Sequence, residues 1–417
     1  MIKNYLKIAW RNLKKNKFIS FINLFGLTVG LTCCLLITVY ILNELSFDRY
    51  NKNAENVYRM ERTFLNPETG ALSLNLGSIA PPFGPLLQND FKDIKQITAI
   101  LPAGSLPVKY GDNIFNEQNI CFADDQLFNV FDFNVTKGNP AKALTDPFSV
   151  MLTQEVAKKY FGNEDPLNKI IRFNNTFDCK VTGIYQSLPQ NAHFHPELLI
   201  SFNTLKDSAI YGMDGLRTNW GNNAFYTYLL LPDHYNPKKL EAQLPAFQNR
   251  HIPLYGKYKA TDYSILSLRK LTDIHLRSHT DSELEINGDI KRVYIFSAIA
   301  LFILLIACIN YMNLSSARSV LRAKEIGVRK TAGATKRELV KQFLSESVFM
   351  AWLAAIFAFI LSIAALPWLN QLANETLSIN SLLQWKVVTI ILLVPFIVGI
   401  FSGIYPALYL SSFEPAK

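Results

Sequence analysis

The residues best placed to grip another molecule lie between 318 and 341, where eight basic and two acidic side chains share a short stretch. Within it, Glu325, Ile326, Gly327, Arg329, Lys330, Gly333 and Ala334 form a compact charged piece punctuated by two glycines. Glu325, Arg329 and Lys330 would be displayed to the cytoplasm; positive-inside topology alone accounts for the charge but not for the Glu-Ile-Gly order or the two glycines. Thr335 and Glu338 stand three apart, the spacing of a capping box that starts the next helix. Other chemistry is thinner. His193, His195 and Glu197 could supply metal ligands, but side chains alternating along an extended stretch do not converge, and 188–196 reads as a turn. His275 and His279 have i, i+4 spacing without the glutamate of a zinc protease. Cys121 and Cys179 could form a bridge, which spacing alone does not decide. The remaining cysteines, Cys33, Cys34 and Cys308, sit in apolar runs and read as small fillers. No G-x-x-x-x-G-K-[ST] loop occurs. Gly256-Lys257 lacks both the earlier glycine and the following hydroxyl residue, so no nucleotide cofactor and no metal is expected on these residues. No nucleophile–base–acid set is apparent either, which disfavours a hydrolase.

Four uncharged, strongly apolar stretches of 25 to 28 residues position this loop: 18–43, 293–317, 347–374 and 387–413. About 20 residues suffice to cross a hydrocarbon core of ~30 Å. A fifth uncharged run, 69–89, holds Pro81, Pro82 and Pro85 among polar residues and reads as a loop. The first stretch is too long for a signal peptide and has no small-residue cleavage site after it, so it is expected to remain as a helix.

The net charge of +9 is uneven. Residues 1–17 carry six cations and no acid, whereas 44–291 carry 25 basic and 28 acidic residues. Basic strips beside apolar stretches write membrane topology, while a nucleic-acid protein would spread them over a folded face. The expected order is a cytoplasmic amphipathic helix at 1–17, a first crossing at 18–43, an extracytoplasmic domain at 44–291 and a second crossing at 292–317. A cytoplasmic loop at 318–342, a third crossing at 343–374, a short outer loop at 375–386 and a fourth crossing at 387–413 follow. Both chain ends then face the cytoplasm. The fold class is an α-helical membrane protein with four transmembrane helices and a large mixed α/β domain inserted between the first two. Gly26 and Gly30 in the first crossing, and Gly399 and Gly403 in the fourth, would allow close helix approach. Asn310 and Asn313 favour a partner helix over lipid, and the four uncharged stretches within the crossings offer no charge for an ion pathway.

The outer segment is long enough for its own core and for two lobes. Strands are expected at 57–65, 94–101, 148–152, 180–185, 224–231 and 263–268, and helices at 82–91, 153–161 and 237–249. Asn236 is the expected cap of the last helix, with Pro237 at its first position.

Several of these segments resemble the FtsX-like/MacB-type ABC transporter permeases. Glu325-Ile326-Gly327-Val328-Arg329-Lys330-Thr331-Ala332-Gly333-Ala334 and Gln342-Phe343-Leu344-Ser345-Glu346-Ser347 match the family's loop and third-helix patterns, and Gly403-Ile404-Tyr405-Pro406-Ala407 matches its last helix. In the outer segment, Ala157-x-x-Tyr160-Phe161-Gly162, Asp165-Pro166 and Val181-Thr182-Gly183-Ile184 are similar to the MacB-like core. The resemblance implies a permease half working with a separate cytoplasmic ATPase, which would bind the ATP. The 325–334 segment would be the helix seated on that ATPase, and a second permease half would complete the assembly. It also implies mechanical coupling that exports or extracts a lipoprotein, peptide or hydrophobic drug, with a periplasmic adaptor as a further partner. MacB proteins carry their ATPase on the same chain, and related permeases often hold two such halves. The expectation here is a dimerising half or part of a longer protein. The alternative is a membrane-anchored regulator of a cell-wall hydrolase, with no transport.

Overall fold

The computed structural model describes residues 11, 17–317, 327–328, 330–331, 333–373 and 375–412. Two compact units emerge, one built from four long apolar helices and the other from Ser46–Asp289.

The helical unit contains α1 (Lys17–Glu44), α2 (Ile290–Ala317), α3 (Lys336–Ala373) and α4 (Trp385–Ser412). A helix of 28 residues is about 42 Å long, which exceeds the bilayer core. All four are long and apolar enough to cross a membrane, as the charge-free stretches require. Small side chains set the packing. Ala351, Ala354, Ala355 and Ala358 of α3 meet Leu27 and Leu31 of α1, Ala307 and Cys308 of α2, and Val398 of α4 in one cluster. Leu35, Val39, Leu366, Leu382 and Val387 form another. The start of α3 is the expected capping box: Thr335 N donates to Glu338 Oε2 at 2.9 Å, and Glu338 N donates to Thr335 Oγ1 at 3.4 Å.

The outer unit holds β1 (Val57–Leu65), β2 (Leu72–Leu76), β3 (Gln96–Tyr110), β4 (Asn113–Ala123), β5 (Val135–Gly138) and β6 (Ser149–Thr153). The remaining strands are β7 (Ile170–Phe173), β8 (Phe177–Tyr185), β9 (Leu198–Ser201), β10 (Tyr226–Leu230) and β11 (Ser264–Lys270). One 11-stranded sheet runs β11-β1-β10-β3-β4-β9-β6-β8-β5, with β2 paired to β1 and β7 to both β3 and β8. The pairing is mixed: β6 lies parallel to β8 and antiparallel to β9. All five residues of β6 are buried, as a strand covered on both faces should be. The helix Gln154–Phe161 starts on Thr153, whose Oγ1 accepts from Val156 N, and stops at Gly162, where φ is +58°. Three apolar clusters fill the unit. Phe131, Tyr185 and Tyr228 anchor the first, Phe173, Val181 and Ile200 the second, and Phe83, Leu244 and Phe247 the third.

The sequence expectations fail at three places, each for a physical reason. The helix expected over 237–249 is two helices, Pro237–Glu241 and Leu244–His251. Pro245 lacks an N–H and its ring opposes the carbonyl four residues earlier, so the first helix cannot run through it. The strand expected at 94–101 extends to Tyr110, because register shifts around Gly104 absorb Pro102 and the glycine as bulges. The run 69–89, expected as loop ahead of the helix expected at 82–91, contains β2, because β1 lies beside it to pair; the helix itself is present as Phe83–Asp90.

Candidate functional site

Gly327, Lys330, Gly333 and Ala334 of the charged segment are described, whereas Glu325, Ile326 and Arg329 lie outside the described residues. Gly333 takes φ +94°, a left-handed conformation that a Cβ disfavours, and its N–H donates to Lys330 O at 3.0 Å. This turn brings the segment back toward the membrane helices. Lys330 Nζ donates to the carbonyl of Ser411 at 2.9 Å, in the last turn of α4. A lysine at a helix C-terminus meets both an orphan carbonyl and the negative end of the helix dipole. Ala334 is half-buried, while Val328 is 65% exposed beside Gly327, a surface available to a partner.

The base of the segment is packed into α3 and α4. Leu339, Phe343 and Ala407 form a small buried cluster. Gln342 and Glu346 are both buried, and Gln342 Nε2 donates to Glu346 Oε1 at 3.1 Å. Ser347 accepts from Tyr311 of α2 at 3.1 Å and faces Gly403 of α4. A Cβ on Gly403 would stand 2.6 Å from Ser347 Oγ, and one on Gly399 would stand 2.5 Å from Val348 Cα. These two glycines therefore set the α3–α4 distance, and nothing larger fits without separating the helices.

The other helix-packing candidates divide. A Cβ on Gly30 would lie 2.8 Å from Ala307 Cβ, so Gly30 seats α1 against α2. Gly26 has open space around its would-be Cβ, and the structure gives it no packing role. Asn310 and Asn313 are exposed on one face of α2, which no other described helix of this chain covers. The link from Lys330 to Ser411, and the pairing of Gly403 with Ser347, join positions 81 and 56 residues apart. Reading along the sequence singles out Lys330, Gly403 and Ser347 but not Ser411, and gives no signal that either pair meets.

In the outer unit, the histidines do not converge on a metal site. His193 Nδ1 bonds Asp48 at 2.8 Å and its Nε2 bonds the Tyr228 hydroxyl at 2.7 Å, all three being buried. His195 turns instead to Glu285, at 2.8 Å. Among the described residues, no cluster of three or more histidine, cysteine or carboxylate side chains could hold a metal ion. Cys121 and Cys179 are buried free thiols, both pushed up to about 12 chiefly by burial.

Comparison with known proteins agrees with this architecture. The MacB-like periplasmic core domain matches residues 20–247, and the FtsX-like permease C-terminal domain matches residues 297–415. An uncharacterized ABC transporter permease of Bacillus subtilis, YknZ, is 20% identical over 99% of this chain and 97% of its own length. The macrolide export ATP-binding/permease protein MacB of Mannheimia succiniciproducens is 23% identical over 73% of this chain. The chain spans 44% of that relative's length. Among solved structures, the periplasmic region of MacB from Actinobacillus actinomycetemcomitans is 18% identical, covering 53% of this chain and 91% of that one with a TM-score of 0.36.

Proposed function

The chain belongs to the FtsX-like/MacB-type ABC transporter permeases, and from that premise we propose that it transmits work from a separate cytoplasmic ATPase to its outer domain. The cargo class is a lipoprotein, peptide or hydrophobic drug, driven by motion of the outer domain rather than carried through a channel. The 325–334 segment is the handle, and both chain ends face the cytoplasm with it, in keeping with the basic strips at 1–17 and 318–341.

The observation that carries this reading is the way the handle's base is fixed. Lys330 is tied to the end of α4, and Gly399 and Gly403 leave α3 and α4 no slack. A push on the segment would displace that helix pair as one body instead of dissipating in a flexible loop. The membrane crossings hold no charged side chain in their apolar centres, which fits transmission of force better than conduction of ions. Asn310 and Asn313 support a second permease half, since an amide facing hydrocarbon without a hydrogen-bond partner is costly and a neighbouring helix relieves it.

Co-purification with candidate ATPases tests the proposal. Replacing Glu325 and Arg329 together by alanine should abolish recovery of the ATPase while leaving the permease in the membrane. Unchanged recovery would count against the handle. Labelling of Lys336 by an impermeant reagent added outside intact cells would reverse the orientation and end the proposal.

A further inference from the structure

Two short linkers join the outer domain to the bilayer: 46–51 follows α1, and 281–289 precedes α2. The turn 189–195 bonds both, and the second is also held at its start by Arg59, which bonds Glu283, and by Asn75 N, which donates to Asp281 Oδ2 at 2.7 Å. Asp48 N donates to Asn191 O at 2.7 Å, and Asn191 Nδ2 donates to Ser46 O at 3.0 Å and to Ser46 Oγ at 2.9 Å. His193 N and its Nδ1 both bond Asp48 Oδ1. The second linker is held by the next histidine in the run, with His195 Nδ1 at 2.8 Å and 3.0 Å from the two carboxylate oxygens of Glu285. The opposite ring nitrogen of His195 lies 3.0 Å from Pro189 O.

The two histidines differ in what their partners can donate. Tyr228 carries a hydroxyl hydrogen, so a neutral His193 satisfies it and Asp48 together, with the ring hydrogen on Nδ1. His195 faces a carboxylate on one side and a carbonyl on the other, and both are acceptors only. A neutral imidazole has one N–H, so one of the two contacts would set lone pair against lone pair. Only the imidazolium makes both bonds.

We propose that His195 is a positioning residue that locks the last part of the linker, from Glu285 to α2, onto the outer domain while its ring is charged, and releases that part when the proton leaves. Its place in a work cycle rests on the permease reading above. The lock itself rests on the geometry of this turn alone.

The charged groups that bear on the ring are Glu285 from the second linker and Asp48 from the first. Burial opposes the charge, but the bond and attraction of Glu285, the Pro189 carbonyl and Asp48 outweigh it and hold the imidazole above its ordinary value. The lock is therefore complete below about pH 6.5 and is lost as pH rises through the raised value. With side-chain exposures of 31% and 40%, the pair is open to solvent and to proton exchange.

Hydrogen exchange of the full chain in lipid nanodiscs tests this without any ATPase. After correction for intrinsic exchange chemistry, amides of 284–289 should exchange roughly two- to fivefold faster at about pH 8.5 than at about pH 5.5, the size expected of a partly exposed ion pair. His195→Gln should exchange fast at both values, and Glu285→Gln should remove the pH dependence. Amides of 226–230 report whether each variant is folded, and if one is not, the wild-type titration and the other variant decide. A flat wild-type profile, or variants that keep the wild-type slope, would overturn the lock. Either result leaves the ATPase co-purification to stand or fall by itself.

Discussion

The contact between α3 and α4 gives the sharpest test of how force would leave the handle. A methyl group placed on Gly399 would lie 2.5 Å from Val348 Cα and 2.9 Å from Val348 N. Ordinary van der Waals contact begins near 3.5 Å, and the opposing atoms are backbone, so no rotamer change relieves the clash. The axes must separate by about 1 Å, or α4 must shift along α3, either of which loosens the apolar cluster around Val398 and Ala354. Overpacking of this kind costs about 1–3 kcal/mol. Gly26→Ala is the matched control, because it adds the same methyl to a membrane helix where nothing lies within 4 Å. Alanine also favours helix over glycine by up to ~1 kcal/mol, so the control should be neutral or stabilising. The assay is the midpoint of thermal unfolding in one detergent, followed by fluorescence size-exclusion chromatography. Gly399→Ala should melt several degrees below wild type and Gly26→Ala should not, with Gly399→Leu worse than Gly399→Ala. If both alanine variants melt together, the glycines do not set the α3–α4 spacing, and the argument for a rigid pair under the handle fails.

His193→Ala strips both Asp48 and the Tyr228 hydroxyl of a buried partner, and should cost about 3 kcal/mol in thermal unfolding of the full chain. His195→Gln, in the more exposed pair, should cost no more than about 1 kcal/mol; equal losses would refute the distinction between the two histidines. Burial, opposed by bonds from Thr98 Oγ1 and from Ala99 and Gln126 N–H, pushes Asp124 up to about 6. Its folded value lies above its unfolded one, so its contribution is full below about pH 4 and is lost as pH rises through about 6, a decline of about 3 kcal/mol. Urea unfolding between those values should show that slope in wild type and not in Asp124→Asn; a flat wild-type curve would contradict it. Cys121 and Cys179, buried and held up at about 12, should resist maleimide near neutral pH until denaturant is added, and labelling of the folded chain would mean that the sheet opens there.

Legibility in the sequence followed the range of the forces involved. Four membrane helices and the inserted α/β domain were readable because hydrocarbon tolerates no charge over ~20 residues, a condition written in consecutive letters. Local signals also transferred: Thr335 with Glu338 and Asn236 with Pro237 cap helices where their spacing says they should. Bulges were not readable, since Pro102 and Gly104 look like strand breakers until β4 is there to pair on either side of them. Long-range meetings were invisible too. Nothing near Lys330 announces Ser411, and nothing in the run from His193 to His195 announces that one histidine faces a hydroxyl and the other a carbonyl. The alternation of that run spoke against metal ligation and for a turn, and only the fold shows that its side chains reach the two linkers.

The unequal packing of the helical unit bears on which part would move. Within α3, twelve residues are buried, from Leu339 to Leu366, whereas α2 buries only Val293, Ala307, Cys308 and Tyr311 among the described residues. Burial of apolar surface contributes ~25 cal/mol per Å², so α2 is held to its neighbours by a fraction of what holds α3. Its ties are few and local: Gly30 against Ala307, Cys34 Sγ donating to Ala300 O at 3.1 Å, and Tyr311 donating to Ser347. A push delivered through α3 and α4 meets a stiff pair, while α2 meets that pair over a smaller buried patch, Ala307, Cys308 and Tyr311, and shifts at lower cost than α3 would. Yet α2 is the helix that continues directly from the linker carrying Glu285. The least buried of the four apolar helices and the His195–Glu285 pair thus lie on the same stretch of chain. On this reading, the charge of one imidazole decides whether the chain before α2 is held from Glu285 onward or only up to Glu283, which Arg59 of β1 bonds.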